Sequence, residues 1–298
     1  MNTNKRKFFP RWLQLLFVLG VAFSVQAQKA APKIELPANV QNLKLNSKLM
    51  AREMPYRVIL PTDYKNSNEK TFYPTLYLLH GLTGHFDNWA DKTKLTDYAA
   101  RYNYIIVMPE GANGWYTDSA TVPNDRYETY VSQELIPEID KKFRTVADRK
   151  HRAVAGLSMG GYGSIKFGLK NQEMFSLVGS FSGALGAGSW TEKELGARGF
   201  IAKSIMSVYG AAESETRKQN DIFKIVKEMP NEKIKNLPFV YLDCGTEDFL
   251  INSNRDFAAL LLEKKIRHEF RQLPGAHDWK FWDAQVQEFL ELSEKFIK

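Results

Sequence analysis

The chain has 298 residues, of which 44% are hydrophobic and 25% charged, with a formal charge of +7. That balance excludes a disordered chain, and the length suffices to bury a core without disulfide staples. The only cysteine, Cys244, excludes an intramolecular disulfide, and no basic stripe with interleaved aromatics supports nucleic-acid binding.

At the N-terminus, Lys5, Arg6, Lys7 and Arg11 precede an apolar run at 12–25 that ends in Val25-Gln26-Ala27. This is the pattern of a secretory signal peptide, cleaved near Ala27. The run is short for a spanning helix, which needs about 20 apolar residues. Segment 1–27 carries four basic and no acidic residues, so the mature charge is 7 − 4 = +3. The expected location is secreted or periplasmic, with no stable membrane span after cleavage. Residues 28–38, with Pro32 and Pro37, read as a flexible leader to a domain at 39–298.

The domain opens with alternating segments at 40–45 and 54–60, which read as half-buried strands. The apolar run at 75–79 reads as a strand covered on both faces. A helix at 96–102, a strand at 104–108 and a helix at 127–143 follow. Next come a strand at 152–157, a helix at 161–170 and a strand at 177–182. The last elements are a strand at 238–244, a helix at 252–265, a strand at 268–273 and a helix at 279–296. Such alternation predicts βαβ units and a mostly parallel sheet. Residues 184–237 interrupt it, with helical pieces at 191–206 and 221–227, and read as a small cap or an elaborated crossover. No P-loop, no GxGxxG after a strand and no HExxH is present.

Gly156-Leu157-Ser158-Met159-Gly160 fits G-x-S-x-G between a strand and a helix. Such a turn pushes the serine hydroxyl out of the sheet, and the helix behind it aims N–H dipoles at developing oxyanion charge. Ser158 is therefore the candidate nucleophile. In this arrangement an acid and then a histidine follow along the chain. His277, in Pro274-Gly275-Ala276-His277-Asp278-Trp279, lies in a loop after a strand and is the candidate base, whereas His268 falls within a strand. Asp243, Glu247 and Asp248 are candidate acids. Asp243 lies inside its strand, and either of the other two could face His277. The N–H of Met159 should join one from the loop 80–84, for which Leu82 is the candidate. His80 reads as structural. His85 and Asp87 are too few ligands for a metal, so neither a metal nor another cofactor is expected. Cys244, in an apolar run, reads as a buried small hydrophobe.

Five stretches carry a resemblance to a known family: 73–81, 134–140, Ala155 to Gly161, Cys244-Gly245-Thr246-Glu247-Asp248, and 274–279. In this order they resemble the esterase D-like α/β-hydrolases. That group includes tributyrin, feruloyl and acetylxylan esterases, S-formylglutathione hydrolases and the antigen 85 mycolyltransferases. The resemblance implies an α/β-hydrolase fold and a Ser158–His277–Asp248 triad, with Leu82 and Met159 at the oxyanion hole. The implied activity is serine ester hydrolysis through an acyl-enzyme, on a small-molecule or carbohydrate ester. The rivals are acyl transfer of the antigen 85 type and a non-catalytic carbohydrate-binding protein. The S-formylglutathione branch fits less well, since its cysteine-bearing Ser-Gly-Leu-Thr-Cys loop is replaced here by His80-Gly81-Leu82-Thr83-Gly84. Trp89, Trp115 and Tyr116 fall near loops that follow strands and are the expected substrate contacts. Trp279 and Trp282, three apart on a helix, could serve the same end or pack inward. Short or aromatic acyl esters of sugars are the expected substrates.

Overall fold

Four apolar runs set the centre of the molecule. In a computed structural model, which describes residues 36–297 apart from 192–194 and 197–198, they become β3 (Thr75–Leu79), β4 (Ile105–Pro109), β5 (Arg152–Leu157) and β6 (Leu177–Phe181), buried along their whole length. Strands covered on both faces need such continuous apolar sequence. They are flanked by β1 (Val40–Ser47) and β2 (Arg52–Ile59) on one side and by β7 (Phe239–Gly245) and β8 (His268–Leu273) on the other. The order across the eight-stranded sheet is β1-β2-β4-β3-β5-β6-β7-β8. Only the β1–β2 and β2–β4 pairs are antiparallel; the rest are parallel. The alternating burial of β1 and the partial exposure of β8 mark them as edges.

The two-residue period of the strands divides the core into layers. On β3, Tyr77 and Leu79 pack on one face while Leu76 and Leu78 pack on the other. The first face is covered by α5 (Met159–Lys170) and α10 (Ile251–Glu263), and the second by α1 (Asn88–Lys92), α2 (Leu95–Ala99) and α11 (Trp279–Ser293). After β4, α3 (Tyr127–Tyr130) runs through a π turn at Val131–Leu135 into α4 (Ile136–Lys142). The described residues form one compact unit with the α/β-hydrolase arrangement expected from the sequence.

The insertion at 184–237 sits between β6 and β7. Its described helices are α6 (Phe200–Tyr209), α7 (Glu215–Asn220), α8 (Ile222–Glu228) and α9 (Asn231–Ile234). Within the stretch expected as a helix at 191–206, the Leu195 N–H bonds the Thr191 carbonyl at 3.1 Å, Gly196 takes a φ of +73°, and α6 begins only after Gly199. Cys244 is fully buried on β7, and burial pushes its thiol up to about 12. The expected signal peptide at 1–27 and most of the expected leader lie outside the described residues. Among the described residues, no helix is long and apolar enough to cross a membrane.

Candidate active site

Parallel strands all end on the same side of the sheet, and the loops that leave β3, β5, β7 and β8 meet there. Ser158 occupies the turn from β5 to α5 with φ +52° and ψ −114°. A non-glycine residue held there costs about 1–3 kcal/mol, so the surroundings must enforce it. They do so by close approach of backbones. A Cβ on Gly156 would lie 2.6 Å from the Gly160 carbonyl carbon, and one on Gly160 would lie 2.5 Å from the Leu79 carbonyl oxygen. Neither glycine can carry a side chain without prising the turn off β3. The Ser158 N–H donates to the Phe181 carbonyl at 2.9 Å, and the Ser158 carbonyl accepts from Tyr162 and Ala184 at 3.0 Å each.

His277 Nε2 lies 3.0 Å from Ser158 Oγ, and His277 Nδ1 lies 2.8 Å from Asp248 Oδ2. The hydroxyl, the imidazole and the carboxylate are thus joined by two hydrogen bonds. The imidazole is wedged between rings. Phe249 tilts over it with centroids 4.7 Å apart, and Trp282 meets it edge-on at 4.9 Å. Asp248 is 2% exposed. Burial alone would push its carboxyl up. The hydrogen bonds from His277 and from the Leu250 amide, at 2.8 Å, outweigh this and hold it below the usual carboxylate range.

The other two candidate acids face elsewhere. Glu247 is exposed and accepts the Gly275 N–H and the Thr246 hydroxyl, tying the turn after β7 to the loop that carries His277. Asp243 is fully buried within β7, and burial raises its carboxyl well above the ordinary range. Of the remaining histidines, His268 bonds the Ile266 carbonyl on β8 and His151 pairs with Asp148. Both lie apart from this group.

A cleft of about 430 Å³ opens over Ser158. Its lining includes the apolar side chains of Leu82, Leu157, Ile201 and Phe249, together with Asn88, Lys92, Asp278, Trp279 and Trp282. The Lys92 ammonium lies 5.1 Å from the centroid of the Trp279 ring. Leu82 lines the cleft, and a Cβ on Gly81 would sit 3.4 Å from Ser158 Cβ, so the backbone at 81–82 passes beside the serine. Met159 is the first residue of α5, where an N–H has no acceptor one turn back. Among the described residues, no group of three or more His, Cys, Asp or Glu is arranged to hold a metal ion.

The three expected aromatic contacts require correction. Trp89, 1% exposed, donates its indole N–H to the Leu79 carbonyl at 2.9 Å and packs on Phe181. Trp115, 2% exposed, donates to Ser204 Oγ on α6 at 3.1 Å and lies between Tyr162 and Trp190. Tyr116 is fully buried, with its hydroxyl 3.2 Å from the His80 carbonyl. All three are core residues that support the loops around the cleft, and none lines it. Trp279 and Trp282 both pack together and line the cleft, Trp279 half-buried and Trp282 buried. Phe249, Ile201 and Lys92 were not expected. The position of Phe249, directly after an acid at a strand end, offered a signal. Ile201 gave none, because it arrives from the insertion.

Known proteins share this framework. Residues 47–291 match the model of the Esterase family, described as "Putative esterase". An acetyl esterase of Caldicellulosiruptor saccharolyticus is 28% identical over 263 residues, covering 86% of this chain and 98% of that protein. An esterase of Mycobacterium tuberculosis is 31% identical over 241 residues, 74% of this chain and 51% of that longer protein. Among solved structures, a ferulic acid esterase superposes with a TM-score of 0.73 at 29% identity, over 86% of this chain and 98% of the other. An S-formylglutathione hydrolase from Staphylococcus aureus does so with a TM-score of 0.73 at 26% identity, over 85% and 97%. The family match spans nearly the whole described unit, and the chain belongs to the Esterase family: it is a carboxylic ester hydrolase of the α/β-hydrolase fold.

Proposed function

We propose that this chain is an exported serine esterase that cleaves short-chain or aromatic acyl esters of carbohydrates. The observation that carries the chemistry is the two-bond relay from Ser158 Oγ through His277 to Asp248. In the proposed reaction, His277 Nε2 takes the Ser158 proton as Oγ attacks the ester carbonyl carbon. Asp248 accepts the Nδ1 hydrogen, which fixes the imidazole's tautomer and stabilises the imidazolium. The carbonyl oxygen, now negative, is held by the Leu82 and Met159 N–H groups. Collapse of the adduct breaks the bond to the alcohol oxygen, which leaves with the proton from His277. Water then gives a proton to His277, attacks the acyl-enzyme and releases the acid, and Ser158 regains its proton.

The substrate reading is supported by the names of two relatives, an acetyl esterase and a ferulic acid esterase. It is also supported by the cleft, whose lining combines apolar side chains with a set made of an indole, an amide and an ammonium. The first suits an acyl group, and the second a polar alcohol. Export rests on the N-terminal segment, with Gln28 as the expected first residue of the mature protein.

A panel of nitrophenyl esters of increasing chain length, assayed beside acetyl and feruloyl sugar esters, tests this reading. The highest kcat/KM should fall on the sugar esters and on the acetate or butyrate. A preference for long-chain esters would overturn the substrate class and leave the esterase. Added sugar acceptor should leave the product as free acid.

A further inference from the structure

β3 and β4 are parallel neighbours, so the loops that follow them leave the sheet side by side. The first loop carries His80 to Phe86 and the second Glu110 to Tyr116. Five hydrogen bonds join them, one of them between the His85 imidazole and Glu110 at 3.3 Å. His80 Nε2 accepts the Gly111 N–H at 2.8 Å, and the His80 carbonyl accepts from the Tyr116 hydroxyl at 3.2 Å. Glu110 accepts the Phe86 N–H at 3.2 Å and the Ala112 N–H at 2.7 Å, and so belongs to both loops. Asn113 Oδ1 accepts the Thr83 N–H at 2.8 Å.

The bonds at His80 and Phe86 pin the ends of the first loop; the bond from Asn113 falls in its middle. There, Thr83 takes a φ of +62°, a left-handed conformation that a β-branched residue adopts only under constraint. Thr83 N shares a peptide plane with the Leu82 carbonyl. The Leu82 N–H lies in the preceding plane, joined to this one at the Leu82 Cα, so when Thr83 relaxes to negative φ the turn of its plane shifts the Leu82 backbone and, through it, the N–H. The cross-loop bond is therefore placed to hold the strained residue and, through it, the direction of the Leu82 donor.

We propose that Asn113 is a positioning residue for the oxyanion site: its side-chain carbonyl holds the Thr83 amide and thereby aims the Leu82 N–H at the reacting carbonyl oxygen. This rests on the assignment of Leu82 as an oxyanion donor and Ser158 as nucleophile. Asn113 is not among the residues that line the cleft, and it is exposed, so its replacement should leave the fold intact. An interaction that matters only when charge develops should lower kcat and leave KM nearly unchanged. Losing an oxyanion donor outright costs about 10²–10³ in kcat; misdirecting one should cost about 10-fold.

The test compares Asn113→Ala, Asn113→Asp and Ser158→Ala on nitrophenyl acetate, with thermal melts and the affinity for an alkyl boronate that mimics the tetrahedral adduct. Asn113→Ala should lose about 10-fold in kcat, bind the boronate weaker in proportion, and melt as the parent does. Asn113→Asp, whose carboxylate accepts the same N–H, should retain most of the activity. Equal kcat in Asn113→Ala and the parent, a loss confined to KM, or an equal loss in the Asp variant would overturn the positioning role. If Ser158→Ala still turns over, the nucleophile assignment falls instead, whatever Asn113 does.

Discussion

Ser158 is the residue on which local strain and chemistry coincide. Its φ of +52° is enforced by the contacts of Gly156 and Gly160, and the outcome is a hydroxyl 3.0 Å from an imidazole. Ser158→Ala should keep the melting temperature and lose on the order of 10³-fold or more in kcat, and a fluorophosphonate should label the parent at Ser158 alone. Substantial turnover by a pure Ser158→Ala preparation would refute the assignment. The three carboxylates near β7 separate by environment. Asp248→Asn removes the acceptor that sets the histidine tautomer and should cost up to about 10⁴-fold. Glu247→Gln loosens a tie to the Gly275 loop and should cost far less. Burial raises the Asp243 carboxyl well above the usual range, which favours its neutral form. An amide resembles it in shape and charge, so Asp243→Asn should change kcat least of the three. A steady-state comparison of these variants on one ester decides the order.

Most elements of the sheet and helices were legible because their signals are local. β3, β5 and β8 begin and end where the apolar and polar runs do, and the glycines at 156 and 160 announced the turn between β5 and α5. His277 was legible from its loop. The acid was not fixed by the residues alone, because three carboxylates lie within six positions and the turn after β7 decides which one reaches the imidazole. Trp115 was misread for a non-local reason. Its loop does follow a strand, yet α6 lies over it, and its indole partner Ser204 is 89 residues away. Trp115→Ala should therefore act as a core truncation that costs about 3–5 kcal/mol in chemical denaturation. Its kcat/KM should fall by the same factor for a sugar ester and for nitrophenyl acetate. A second internal device links α5 to the same loop. Lys166, fully buried, donates to the Tyr116 carbonyl at 2.7 Å, Thr117 Oγ1 at 2.6 Å and Glu128 at 2.9 Å, and Glu128 also pairs with Lys170 at 2.7 Å. Burial pulls the Lys166 amine down to about 8, and burial would push the Glu128 carboxyl up, but the two ammonium groups hold it below its usual value. A carboxylate with a lowered folded pKa contributes stability that is present above its unfolded value and is lost as pH falls through the folded one. Glu128→Gln should thus lose about 3 kcal/mol or more at pH 7, because two amines are left without their anion. Its deficit against the parent should shrink as pH falls below about 4.5, as read from urea midpoints across pH 3.5–7. A deficit independent of pH would show that Glu128 acts through packing alone.

At the scale of the whole molecule, the parallel sheet gathers the loops after β3, β5, β7 and β8 at one end, and the insertion adds α6 to the same rim. The result is a cleft of two characters. Three of the exposed large hydrophobic side chains gather near α6 and the turn after β7: Phe249 (71% exposed), Phe200 (53%) and Ile201 (39%); Ile201 and Phe249 line the cleft itself. Trp279, also in the lining, is held edge-on by Trp89 and Trp282 and carries the Lys92 ammonium over its ring. A ring fixed by two neighbours presents a pre-ordered face, so a sugar that stacks on it loses little to ordering the site. The apolar and the polar-aromatic lining should therefore answer to different halves of the ester. Phe249→Ala should change the ranking among acyl groups with the alcohol held constant. Trp279→Ala should lower kcat/KM for an acetylated or feruloylated sugar by about 10-fold, the worth of roughly one good aromatic contact, and leave nitrophenyl acetate within about twofold. Equal losses on both substrates would mean that the indole serves only to pack α11, and the alcohol would then have no recognised place at that ring.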